Sequence, residues 1–158
     1  MKPTDRPIRV GVSSCLLGEE VRYDGGHKHD AWITDTLGLL VEFVPVCPEV
    51  ELGLGVPRPP IRLVDDGAGG VRLVEEGSGT DLTDRMRRFA DERVRSLDGE
   101  HLSGYILKTR SPSCGIDGVR VGETRKGRGL FAEALMRRFP RLAVEDEERL
   151  RDPGVREE

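Results

Sequence analysis

Ile8-Arg9-Val10-Gly11-Val12-Ser13-Ser14-Cys15 is a short apolar run, rich in β-branched residues, that ends on a cysteine. Bounded by Pro7 and a turn at Cys15, residues 7–14 read as a buried strand. The arrangement recurs twice. Val41-Glu42-Phe43-Val44-Pro45-Val46 leads directly into Cys47, and Gly104-Tyr105-Ile106-Leu107 precedes Cys114 by a loop. In an open α/β sheet, ligands bind in the crevice at the carboxyl ends of the parallel strands. Three strands that each end near a thiol would bring the chain's three cysteines to one sheet edge. Three thiolates on one side of a cavity suit a metal or iron–sulfur site with one coordination position open.

The intervening residues fill in the architecture. Residues 16–30 are loop-like, broken by Gly18, Asp24, Gly25 and Gly26. Asp30 is placed to cap a helix over 31–40, with Ile33, Leu37 and Leu40 on one face. The Pro- and Gly-rich stretch 48–60 predicts irregular backbone. Residues 61–64 and 71–74 flank Asp65-Asp66-Gly67-Ala68-Gly69-Gly70, a hairpin signal, and 61–80 reads as a surface insertion. The clearest helix covers 81–97: Thr80 or Asp81 caps it, and Leu82, Met86, Phe89, Ala90, Val94 and Leu97 form its apolar stripe. A third strand over 103–108, a short strand or turn at 118–121, a helix from Gly129 to Phe139, a fourth strand at 142–144 and a short helix at 145–151 follow. Strands alternating with helices predict an α/β fold over residues 1–158: a single, three-layer domain with a mostly parallel central sheet of Rossmann-like or flavodoxin-like kind.

Composition narrows the function. A chain of 158 residues buries about two-thirds of its unfolded surface, so the fold needs no disulfide. An odd number of cysteines cannot complete a disulfide framework, and in a reducing compartment metal binding or catalysis is the better reading. No apolar run reaches the roughly 18 residues of a membrane span. The start, Met1-Lys2-Pro3-Thr4-Asp5-Arg6, carries no apolar signal core, so a cytoplasmic protein is expected. A net charge of −4 and 4% aromatic residues argue against nucleic acid, which wants a basic surface and stacking rings.

Around the cysteines lie residues able to do chemistry. Thiolates are the usual iron–sulfur ligands, and a complete site normally has four. Three therefore predict an open iron or a non-cysteine fourth ligand. Catalytic zinc also keeps three ligands and an open position, so spacing does not separate the metals. Absence of a Cys-x-x-Cys pair disfavours a zinc ribbon. Glu49, two residues past Cys47, is a carboxylate suited to accept and return a proton. Ser111 and Ser113, in a turn stiffened by Pro112, can hydrogen-bond a substrate or a cluster sulfur. Asp24 and Lys108 are candidate substrate contacts, Lys108 also offsetting cluster charge. His27 and His29 sit in a polar loop and read as solvated. Gly127-Arg128-Gly129 before a helix is a weak candidate anion site.

Three segments carry a family resemblance. They are Ser13-Ser14-Cys15-Leu16-Leu17-Gly18 with Val21-Arg22-Tyr23-Asp24-Gly25-Gly26; Val46-Cys47-Pro48-Glu49 with Gly53-Leu54-Gly55-Val56-Pro57-Arg58-Pro59-Pro60; and Lys108-Thr109-Arg110-Ser111-Pro112-Ser113-Cys114-Gly115. In this order, and over nearly the whole chain, they resemble the 2-thiouracil desulfidase family. The resemblance implies a [4Fe–4S] enzyme whose cluster is held by Cys15, Cys47 and Cys114, with the fourth iron free of protein ligands. It implies Glu49 and Ser111 as proton-handling residues, the open iron as acceptor of the substrate's sulfur, and water as the source of the replacing oxygen. The implied substrate is a small thiolated pyrimidine, 2- or 4-thiouracil in type, whose C=S becomes C=O as sulfide leaves. A zinc-dependent hydrolase with a three-cysteine site and a non-enzymatic iron–sulfur carrier or sensor are the alternatives. Glu49 and Ser111 beside the ligands favour an enzyme over a carrier.

Overall fold

β1 (Arg9–Ser13) lies at the centre of a parallel sheet in the computed structural model, which describes residues 8–20, 22–122 and 125–152. Residues 1–7, on which the reading of the chain's start rests, and Val21 of the first segment lie outside the described residues. After α1 (Ala31–Asp35) comes β2 (Glu42–Val46), which pairs with β1 in parallel register, Ser13 opposite Val46. Then follow α2 (Pro48–Glu51), β3 (Ile61–Asp65), β4 (Val71–Glu75) and α3 (Thr83–Ser96). β5 (Gly104–Leu107) pairs with the other edge of β1. β6 (Val119–Val121), β7 (Arg125–Gly127), α4 (Leu130–Arg138) and β8 (Ala143–Asp146) complete the set.

The first sheet runs in the order β2-β1-β5-β8, parallel throughout. β1 is covered on both faces, which explains its unbroken apolar character. Tyr105, Leu107, Val44 and Val46 pack against Ala90 and Val94 of α3 and Phe131 and Leu135 of α4. Val10, Val12 and Ile106 pack on the opposite face against Ile33 of α1 and Leu150. These are the three layers the alternation of elements predicts. Gly11 is glycine for a local reason: a Cβ there would lie 2.2 Å from the Tyr105 ring. Because the strands are parallel, Ser13, Val46, Leu107 and Asp146 all end at one edge, and that edge carries the site.

Several boundaries differ from expectation. The helix expected over 31–40 stops at Asp35, and Leu37–Leu39 forms a separate 3-10 turn that leaves Leu39 and Leu40 exposed. Asp30 does cap, its carboxylate accepting the Ile33 N–H. α3 begins at Thr83; Asp81 accepts the Thr83 N–H, while the Thr83 hydroxyl accepts the Leu73 N–H and ties the helix start to β4. Residues 48–51 are helical, with proline in the first turn where its missing N–H costs nothing. The short helix expected at 145–151 is replaced by β8, which pairs with β5 through Asp146, and a 3-10 turn at Arg149–Arg151.

The larger correction concerns residues 61–80. β3 and β4 form the expected hairpin, but β3 also pairs in parallel with β6, and β6 with β7, giving a second sheet in the order β4-β3-β6-β7. Leu63 and Leu73 are fully buried against Leu82, Met86, Val119, Val121 and Leu130. The segment is therefore part of a second core and not a surface excursion. Phe89 of α3 touches both cores and joins them. No helix among the described residues is long and apolar enough to cross a membrane.

Candidate active site and metal centre

Each cysteine is placed by a strand end. Cys15 sits in the 3-10 turn Ser14–Leu17 directly after β1, where its carbonyl accepts N–H groups from Gly18 and Lys28. Cys47 occupies the junction between β2 and α2; its N–H donates to Glu51, whose other carboxylate oxygen pairs with Arg93 of α3. Cys114 lies in the loop after β5. All three are free thiols, and all three line one cavity of about 310 Å³. Burial pushes the Cys15 thiol up to about 11, against the pull of Arg22 and Lys108. Burial likewise raises Cys114 to about 12, partly offset by a hydrogen bond from Ser13. Cys47 is also raised by burial. The neighbouring cysteines add to the upward shift at Cys114, and Cys47 adds to that at Cys15.

This donor set fits an iron–sulfur cluster. Buried thiols ionise at a reasonable cost only beside a compensating cation, and thiolates are the ligands clusters take.

The Cys114 loop is locked from two sides. The Ser111 hydroxyl oxygen accepts the N–H groups of Ser113 (3.2 Å) and Cys114 (3.1 Å). From below, the first turn of α4 donates into the loop: Leu130 to the Pro112 carbonyl, Phe131 and Ala132 to that of Ser113. The N–H groups that an anion at Gly127-Arg128-Gly129 would need are thus already taken, which corrects that expectation. Gly129 approaches so closely that a Cβ would lie 2.5 Å from the Ser113 carbonyl and 2.8 Å from the Cys114 nitrogen. Gly129→Ala is therefore expected to displace Cys114, costing roughly 1–3 kcal/mol in denaturant unfolding and lowering iron content after reconstitution. Unchanged iron and midpoint would show that the loop yields freely.

Glu49 reaches the same place from α2. Its Oε1 accepts both Nε (3.1 Å) and Nη2 (3.0 Å) of Arg58, and its Oε2 accepts the Ser113 hydroxyl at 3.2 Å. Ser113 in turn lies 3.8 Å from the Cys114 sulfur and 3.1 Å from the Ser111 hydroxyl. Lys108, at the end of β5, donates from Nζ to the Thr109 carbonyl (3.1 Å) and pairs with Glu147 at 2.8 Å. The other Glu147 oxygen accepts the Thr109 N–H.

A family model described as 2-thiouracil desulfurase matches residues 10–147, a span that contains every one of these groups. The chain belongs to the 2-thiouracil desulfurase family. A relative in Bacillus subtilis (strain 168), named only as the uncharacterized protein YbbK, is 31% identical, covering 86% of this chain and 95% of the relative. A solved structure titled as the [4Fe-4S]-dependent thiouracil desulfidase TudS superposes with a TM-score of 0.72 at 34% identity, covering 94% of this chain and 97% of that one.

In this desulfurase-family chain the structure brings together Cys15, Cys47, Cys114, Glu49, Lys108, Ser111 and Ser113, all in the wall of one cavity. Asp24 is left outside that wall: it is exposed, and its carboxylate closes a turn by accepting the Gly26 N–H at 2.8 Å. Its neighbours Arg22, Tyr23 and Lys28 line the cavity instead. His27 and His29 are exposed, His29 meeting the Thr34 hydroxyl, as a solvated loop predicts. Two residues of the site escaped sequence reasoning. Arg58 is a buried arginine flanked by Pro57, Pro59 and Pro60, a stiff setting unusual for a charge on the surface. Glu147 sits one residue past the end of β8, the position at which the other strands of this sheet deliver their site residues.

Proposed function

We propose that this chain holds a [4Fe–4S] cluster on Cys15, Cys47 and Cys114 and desulfurates a small thiolated pyrimidine of the 2- or 4-thiouracil type. The observation that carries the reading is the convergence of three free cysteines, from three adjacent strand ends, on one cavity beside a carboxylate. A thiocarbonyl and water give a carbonyl and hydrogen sulfide; no electrons are exchanged. When bound, the cluster would supply a Lewis-acidic iron with affinity for sulfur.

The chain's own groups would do the rest. Glu49 is the base that takes a proton from the attacking water and returns it. The Ser111 hydroxyl, its oxygen already engaged by two N–H groups, has its own O–H free for Ser113, which donates to Glu49. That chain of hydroxyls links the cavity to the carboxylate. Lys108 has three N–H donors, two of them occupied among the described residues, and the third would serve a ring oxygen. A volume of about 310 Å³ accommodates a single ring with its solvent. Unpaired thiols of this kind suit a reducing compartment.

Lys108→Met should raise KM on the order of 10-fold, the loss of one charge-assisted hydrogen bond, with iron content unchanged. Unaltered KM would remove Lys108 from substrate binding. The reading as a whole is tested by sulfide release from 2-thiouracil, 4-thiouracil and thiolated tRNA, assayed side by side with anaerobically reconstituted protein. Turnover of a free base supports it. Release from tRNA alone would make the protein an RNA-modifying enzyme.

A further inference from the structure

Arg58 is almost completely enclosed, its side chain 4% exposed, and yet it is charged. Such a group is held by its partners, and these are specific. Nε and Nη2 both donate to one oxygen of Glu49, Oε1, and Nη1 donates to the Gly55 carbonyl at 2.7 Å. The result is asymmetric. One carboxylate oxygen is fully engaged and the other, Oε2, is left for Ser113 and the cavity. The Arg58 backbone N–H also donates to the Tyr23 carbonyl at 2.7 Å, so the residue ties the first-cysteine loop to the second.

Glu49 needs such a restraint. It stands on α2, a helix of four residues, which has too few internal hydrogen bonds to fix a side chain's direction by itself. We infer that Arg58 is the positioning residue of the site, aiming the free oxygen of Glu49 at Ser113 and the cavity through the fork of its guanidinium. The inference rests on the proton-handling role proposed for Glu49. It adds a requirement that the role alone does not carry: the partner must be a planar fork. Lysine keeps the charge but offers a single point of donation, so it cannot hold a carboxylate at one angle.

The test is a double-mutant cycle on reconstituted holoenzyme with 2-thiouracil, with iron content and the visible absorption of the cluster recorded for every variant. Arg58→Lys should lower kcat on the order of 10²-fold, the usual effect of misplacing a catalytic group, with KM and iron content unchanged. In the Glu49→Gln background the same substitution should cost less than about 2-fold, because residues acting as one unit are not additive. An equal loss in both backgrounds, or wild-type kcat in Arg58→Lys, would overturn the inference. A harmless Glu49→Gln would instead remove the role on which it rests. Should Arg58→Lys fail to hold iron, Arg58→Gln is scored in the same cycle. Iron loss in both would show that Arg58 staples the cysteine loops and does not aim the carboxylate.

Discussion

Replacing any one of Cys15, Cys47 or Cys114 by alanine is expected to remove most of the iron and all measurable turnover together. The three sulfurs come from different strand ends, so no neighbouring cysteine can take over a vacated position. Two thiolates hold a cubane poorly against loss to solvent, since thiolates are the ligands that retain it. The fold should persist. Cys15 and Cys114 are small buried residues within larger apolar clusters, so truncation costs about 1–2 kcal/mol on the scale of buried large-to-small changes. Circular dichroism close to wild type with iron lost separates a ligand from a merely buried residue. Full iron and turnover in Cys114→Ala would strike that residue from the ligand set.

Glu49→Gln is expected to keep the cluster and lose turnover by roughly 10²–10⁴-fold, the range for removing a general acid–base group. Glutamine retains the shape and can still accept from Arg58, but it cannot cycle a proton. The substitution also leaves the buried Arg58 without its counter-charge, which costs about 1.5–3 kcal/mol, so assays belong well below the unfolding temperature. Wild-type rates at full iron content would make the carboxylate a bystander. Loss of iron as well would give it a structural role in holding α2 against the Cys114 loop.

The central strands of the first sheet, β1 and β5, were legible because they are buried on both faces and read as continuous apolar runs, while the edge strand β2 keeps a mostly apolar run although Glu42 and Pro45 are exposed. The cysteines were legible because a thiol directly after such a run, or in the loop that follows it, has few bland explanations when it occurs three times. The second sheet was not legible. β3 reads as half of a hairpin, and nothing local in residues 61–65 tells that Leu63 pairs with Val121, far along the chain. Pairings of this kind are decided by packing against α3, not by propensity. Arg58 and Glu147 were missed for a related reason. A charged side chain looks like surface until its partner is known, and both partners lie far away in sequence or around a turn. At Asp24 the sequence pointed to the cavity and the structure sets the side chain outside its wall. It stands next to residues that line the cavity, but its carboxylate is drawn into a turn with Gly26. α4 adds a similar lesson: Gly129 suggested a site for an anion, while the helix start is filled by carbonyls of the cysteine loop it supports.

The iron–sulfur cluster proposed for the three cysteines at one sheet edge is tested most directly by anaerobic purification followed by metal analysis, acid-labile sulfide analysis and an absorption spectrum. About four iron and four sulfide per chain are expected, with the broad visible band of a [4Fe–4S] centre. A colourless protein carrying stoichiometric zinc would contradict it.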